Sequence, residues 1–168
     1  VTMQGWRPDG SPTTVAYFAA GGFGGMEGQD GRQTLPGSSN MGTMPIELFE
    51  PLSGFVAERK ALRPDSGGAG AYCGGAGQTI VLRNETGRDV VVLPMANRTR
   101  FPAEGLCGGA PGALREHLVD GRPVSGQGRH VLPPGARLTL KQAGGGGFGD
   151  PANRPREAIE ADIRNGFL

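Results

Sequence analysis

Thr79-Ile80-Val81-Leu82-Arg83, the turn residues Asn84-Glu85-Thr86-Gly87, and then Asp89-Val90-Val91-Val92-Leu93 form the stretch that decides the fold class. Both flanks are rich in β-branched residues, and the first alternates in part, the pattern of half-buried strands. Gly87 supplies a residue that takes positive φ without strain, so the stretch predicts a β-hairpin. Outward from it, His130-Val131-Leu132 and Ala136-Arg137-Leu138-Thr139-Leu140-Lys141 predict a second pair, broken by Pro133-Pro134-Gly135, with Leu138 and Leu140 on one face. Thr14–Phe18 and Phe55–Leu62 are further strand candidates, and a short helix fits around Pro111–Leu118. At the end of the chain Pro155 suits a first helical position. No breaker follows from Arg156 to Asn165, and Gly166 supplies a stop. Ile159, Ile163 and Phe167 make an i, i+4, i+8 stripe on that helix. Region 19–45 reads as a long loop. The sum is an α+β fold: one β-rich antiparallel domain over residues 1–168, with glycine-rich loops and a C-terminal helix.

The 32 glycines and 14 prolines among 168 residues reach the range typical of disorder, but a 36% hydrophobic fraction gathered into strands provides a core. Seventeen basic and sixteen acidic residues are interspersed, leaving a net charge of +1. No basic stripe with interleaved aromatics is present, which excludes the electrostatic footprint of a nucleic-acid binder. No apolar run approaches the roughly 20 residues of a membrane span, so no membrane is expected. The first residues have neither a charged n-region nor an apolar h-region, and Cys73 and Cys107 are too few for a disulfide framework. Both point to a cytoplasmic protein.

Phosphate loops are the first reading for so much glycine. None of the clusters at 21–25, 67–77, 108–112 and 144–149 carries the Lys-Ser/Thr of a Walker loop or the G-x-G-x-x-G spacing. Four consecutive glycines are costly to order, so Gly144–Gly147 either brings its backbone close to a ligand or subunit or is a flexible connector. Glu47 and Glu50, three apart, would share a face on a helix but point oppositely on a strand; paired carboxylates do acid–base work, hold a metal or form surface ion pairs. Asp65-Ser66 after Arg63 would position a substrate or close a turn. His117, His130 and the cysteines lack zinc-site spacing, and no nucleophile elbow is present. No bound cofactor and no metal ligand is assigned to this chain.

Three ordered segments carry a resemblance. Leu62–Gln78, built on Asp65-Ser66-Gly67-Gly68-Ala69-Gly70, resembles a glycine stretch of the hydantoinase B/oxoprolinase family. Gly21–Gly25 with Asp30-Gly31, Asn40 and Pro45-x-Glu47-x-x-Glu50 resembles that family's upstream element. Gly144–Pro151 with Arg154, Ile159, Asp162-Ile163 and Asn165-Gly166-Phe167 resembles its closing segment and helix. Cys73 stands where the family usually has arginine, and Gln142-Ala143 where Pro-Gly is commoner. The resemblance implies the carboxy-terminal portion of a subunit of the N-methylhydantoinase, 5-oxoprolinase or acetone/acetophenone carboxylase kind. It implies a hydantoinase A-type partner that binds ATP and Mg and phosphorylates the substrate. The chain would then act with the amino-terminal remainder of its own subunit, which holds a divalent metal, in opening a small cyclic amide. Carboxylation of a ketone is the alternative, and a non-catalytic assembly module is a third. Carried onto this chain, Asp65, Ser66, Glu47 and Glu50 become the catalytic candidates, and Asn40 and Arg63 the substrate-binding ones.

Overall fold

In the computed structural model, which describes residues 1–7, 9–36, 42 and 44–168, the alternation around residue 80 becomes an alternation in burial. The strands are β1 (Thr2–Trp6), β2 (Pro12–Ala16), β3 (Phe55–Leu62), β4 (Gln78–Asn84), β5 (Val90–Leu93), β6 (Glu116–Val119), β7 (Arg122–Val124), β8 (His130–Leu132) and β9 (Arg137–Lys141). Helix α1 spans Ile46–Ser53 and α2 spans Arg156–Arg164. The strands form two antiparallel sheets, ordered β2-β1-β5-β8 and β3-β4-β9-β6-β7. This is the expected β-rich α+β class with its C-terminal helix.

Ile80 and Leu82 of β4, Leu138 and Leu140 of β9, Val90 and Val92 of β5 and Met3 of β1 all turn inward into one shared cluster. Inward-facing side chains of two sheets that meet in this way make a sandwich core. Phe49 of α1 is fully buried and lies 4.7 Å from Tyr17, ring centroid to ring centroid, closing one end of the cluster. Gly54, at φ 70°, ends α1 in the left-handed conformation and turns the chain into β3.

Both predicted hairpins are corrected. β4 lies in the five-stranded sheet and β5 in the four-stranded one, and β8 and β9 are divided in the same way. The two turns carry the chain between sheets, and Asn84 fastens them together. Its Nδ2 donates to the carbonyls of Arg88, Leu132 and Pro133 at 2.9, 3.0 and 3.1 Å, while Oδ1 accepts from Thr86 N and Oγ1. Its backbone also pairs with Gly135 and Ala136. Local turn chemistry does not distinguish a hairpin from a crossing between sheets, because that choice lies in what the two strands bury against. The helix expected around Pro111–Leu118 is strand β6 at its end, paired with β9 from Glu116 to Val119.

Beyond the strand ends the glycine segments pack against one another by backbone alone. Gly144–Gly147 runs through the middle. Gly22 and Gly25 donate to Ala143 and Gly146, Gly68 donates to Gly145, and Gly147 donates to Ala110. Gly144 and Gly145 each accept an approach that no Cβ would permit: a methyl there would run into the carbonyl of Ser66 or of Phe23. The close approach observed for this run is to other segments of the same chain.

Candidate functional site

Each end of β3 places a different group of the sequence-predicted residues. Glu47 is exposed in the first turn of α1, and Glu50 Oε1 accepts from Ala57 N at 2.9 Å, tying α1 to β3. At the other end, Arg63 donates to the carbonyls of Leu114 at 2.7 Å and Gln142 at 3.3 Å, and to Glu116 at 2.7 Å. Ser66 is fully buried. Its hydroxyl donates to Arg63 O at 2.6 Å and accepts from Gly77 N at 2.9 Å. Asp65 is exposed with φ 53°, and its N–H donates to Phe167 O at 3.0 Å. Glu50 is held at Ala57, six residues before Arg63, so at about 3.3 Å per residue the strand keeps the two groups roughly 20 Å apart. The structure therefore joins Arg63 to Ser66 but does not bring Glu47 or Glu50 to them. Asn40 lies outside the described residues.

A cleft of about 290 Å³ opens instead between α2 and the glycine layer. Gly67, Ala69, Gly70 and Cys73 of the quoted glycine stretch form one wall, and Ile159 and Phe167 form the other. The stripe predicted on the last helix thus faces a cleft, and Ile163 remains 58% exposed. No residue of α2 is fully buried, so something other than apolar burial must hold this helix in place.

That role falls to Arg154, whose side chain is only 6% exposed. It donates to both Asp30 oxygens at 2.7 and 2.9 Å, and to Asp162 Oδ2 at 3.1 and 2.6 Å. It also reaches Ala71 O at 3.2 Å. Asp30 Oδ1 accepts a further 2.7 Å bond from Cys73 N. One guanidinium fork therefore links the loop after the first glycine cluster, the second cluster and α2, a geometry that lysine does not reproduce. Burial alone would raise the Asp30 carboxyl, but the hydrogen bonds from Arg154 and Cys73 N outweigh it and hold Asp30 below its ordinary value. Burial pushes the Cys73 thiol up, and Cys73 Sγ faces Gly70 O at 3.8 Å.

Asp30, Arg154 and Asp162 are the site residues that chemical reasoning on the sequence passed over. They were visible there as motif positions, but nothing in their spacing announces an ion-pair network across 124 residues. Among the described residues no three His, Cys, Asp or Glu side chains gather as a metal site would require. No described helix is long and apolar enough to cross a membrane.

The family model for hydantoinase B/oxoprolinase matches residues 1–151. The chain belongs to this family. Among the relatives of this hydantoinase B/oxoprolinase chain, the caprolactamase subunit beta of Pseudomonas jessenii is 33% identical over 132 residues, covering 73% of this chain and 22% of the relative. The acetone carboxylase alpha subunit of Xanthobacter autotrophicus is 30% identical over an alignment of 193 positions, covering 89% of this chain and 24% of the relative. The nucleotide-free structure of acetone carboxylase shares the fold, with a TM-score of 0.85 at 21% identity over 99% of this chain and 27% of that one. The hydantoinase B/oxoprolinase chain described here thus spans about a quarter of the length of these two relatives.

Proposed function

We propose that this chain is the carboxy-terminal part, a single domain over residues 1–168, of a B-type subunit in a cytoplasmic ATP-dependent enzyme that opens a small cyclic amide. The observation that carries this reading is its likeness to a caprolactamase subunit beta, a protein named for hydrolysis of a cyclic amide. An amide is a poor electrophile, and phosphorylation of its oxygen makes the carbonyl reactive. In this proposal an A-type partner binds ATP and Mg and performs that activation. The amino-terminal remainder of the B-type subunit holds the divalent metal.

The contribution of the present chain is then framework and wall. The Ser66 hydroxyl is fully engaged with backbone, and Arg63 is clamped to two carbonyls and Glu116. These residues brace the glycine layer, while Gly67 to Cys73 offers its surface to the cleft. A ketone carboxylase is the second reading, favoured by the acetone carboxylase alpha subunit's likeness across most of the chain.

The test is turnover by the chain alone and by the reassembled enzyme, with ATP. The chain alone is expected to leave lactams, hydantoins and 5-oxoproline intact, and the assembly to open one of them. Ring opening by the purified chain alone would overturn the proposal. So would an assembly that carboxylates ketones with bicarbonate and leaves every cyclic amide untouched.

A further inference from the structure

Strand β6 carries a second group of polar residues away from the α2 cleft. In its register with β9, Glu116 lies opposite Lys141 and His117 opposite Leu140. One step further along the same ladder sets Arg115 opposite Gln142. Opposed residues share a sheet face, so Arg115, His117 and Gln142 lie on the inner face. Glu116 and Lys141 lie on the outer one, joined at 3.2 Å.

His117 is 2% exposed and Gln142 is 1% exposed. Neither ring nitrogen of His117, nor Gln142 Nε2, nor Arg115 Nε has a partner among the described residues. Arg115 forms no ion pair there either. Glu116 is taken by Arg63 and Lys141, and Glu104, on the wall of the neighbouring cleft, is exposed. Arg115 stands between two clefts, of about 580 and 480 Å³. Gln142 lines the first and His117 the second, with Arg98 and Arg100 adding positive charge to their walls. Leaving three buried nitrogens of His117 and Gln142, and the buried Nε of a half-buried guanidinium, without partners is costly, because each has lost its water shell and gained nothing in return.

We propose that Arg115, His117 and Gln142 form a binding site for a small oxyanion, a carboxylate or a phosphate. The guanidinium fork takes two oxygens of the anion, and the Gln142 amide donates to one of them. Burial and the adjacent Arg115 lower the His117 pKa to about 4, so at neutral pH the ring is uncharged. It therefore offers one N–H to the anion and keeps one lone pair. This site shares no residue with the α2 cleft and stands independently of which amide or ketone the enzyme uses.

The chain has two histidines, so the C2 proton of His117 can be followed by NMR with His130 as a second probe. Inorganic phosphate and acetate are titrated separately into the 168-residue chain at pH 7 and constant ionic strength, with chloride as the balancing salt. The expected result is a saturable His117 shift for at least one anion, and its identity separates the phosphate source from the carboxylate one. Arg115→Gln should weaken that binding about tenfold or more, with Arg115→Lys in between, since the charge remains but the fork is lost. Gln142→Met, which removes an amide without changing charge, covers the case in which Arg115→Gln does not fold, and should weaken binding severalfold. No saturable shift with either anion, or equal saturation in wild type and all variants, overturns the site and leaves both clefts to water.

Discussion

Replacing Arg154 with Met tests whether one guanidinium is what docks α2. Asp162, 15% exposed, would lose two charge-assisted hydrogen bonds, worth about 1.5–3 kcal/mol. Asp30 is 46% exposed, so solvent screening reduces its share to about 0.5–1 kcal/mol. The sum, roughly 2–4 kcal/mol, corresponds to a rise of roughly 30- to 800-fold in the opening constant of the helix. α2 has nine residues and none fully buried, and a helix of that length is marginal alone. The loss should therefore appear first as local opening. Hydrogen exchange of the peptide covering 154–168 is expected to lose its protection, while the peptide covering β4 and β5 keeps most of its own. Arg154→Lys should fall in between. The pH dependence follows from Asp30, whose carboxyl is held below its ordinary value. Its stabilising contribution is present above the unfolded pKa of about 3.9 and is lost as pH falls through the lower folded value. Wild-type α2 protection should thus decline below about pH 4, with a weaker dependence in Arg154→Met. If that variant keeps α2 protection within about threefold of wild type (under about 0.7 kcal/mol), the docking argument is refuted.

Two further outcomes are expected. Asn84→Ala removes the amide that joins both crossings between the sheets and leaves the Leu132 carbonyl without its side-chain donor. A loss of about 3–4 kcal/mol, or roughly 6–16 °C in Tm, should be seen by calorimetry, and a fall under about 2 °C would count against the fastening role. Ser66→Ala should lower stability by about 1–3 kcal/mol through the unpaired Gly77 N–H. In the assembled enzyme it should keep kcat near wild type below its melting range, whereas a nucleophilic Ser66 would show complete loss of kcat in the folded variant.

Runs of β-branched residues at 79–83 and 89–93 and the alternation at Leu138–Leu140 were enough to mark strands, since composition and period are local properties of the chain. Helix α2 was equally legible from Pro155, the unbroken run and Gly166. Pairing was not. Asn84-Glu85-Thr86-Gly87 has good hairpin chemistry, yet the two strands it joins enter different sheets. The partners that Asn84 holds at 132 and 133 are nearly fifty residues away.

The candidate site divides in the same way. The glycine stretch, Asp30, Arg154 and Asp162 stood in the sequence as motif positions, but only the fold gathers them around one guanidinium. Glu47 and Glu50, grouped with Asp65 and Ser66 by motif order, lie at opposite ends of β3. The glycine runs themselves show most clearly what each level decides. Composition established that backbone, not side chains, would shape this region, because only glycine lacks the Cβ that close approach forbids. Which carbonyl each glycine meets, and that Gly144–Gly147 runs through the middle, depended on the sandwich holding the four segments side by side. Contacts between residues far apart in sequence are set by the packing of the whole chain, and no local pattern encodes them.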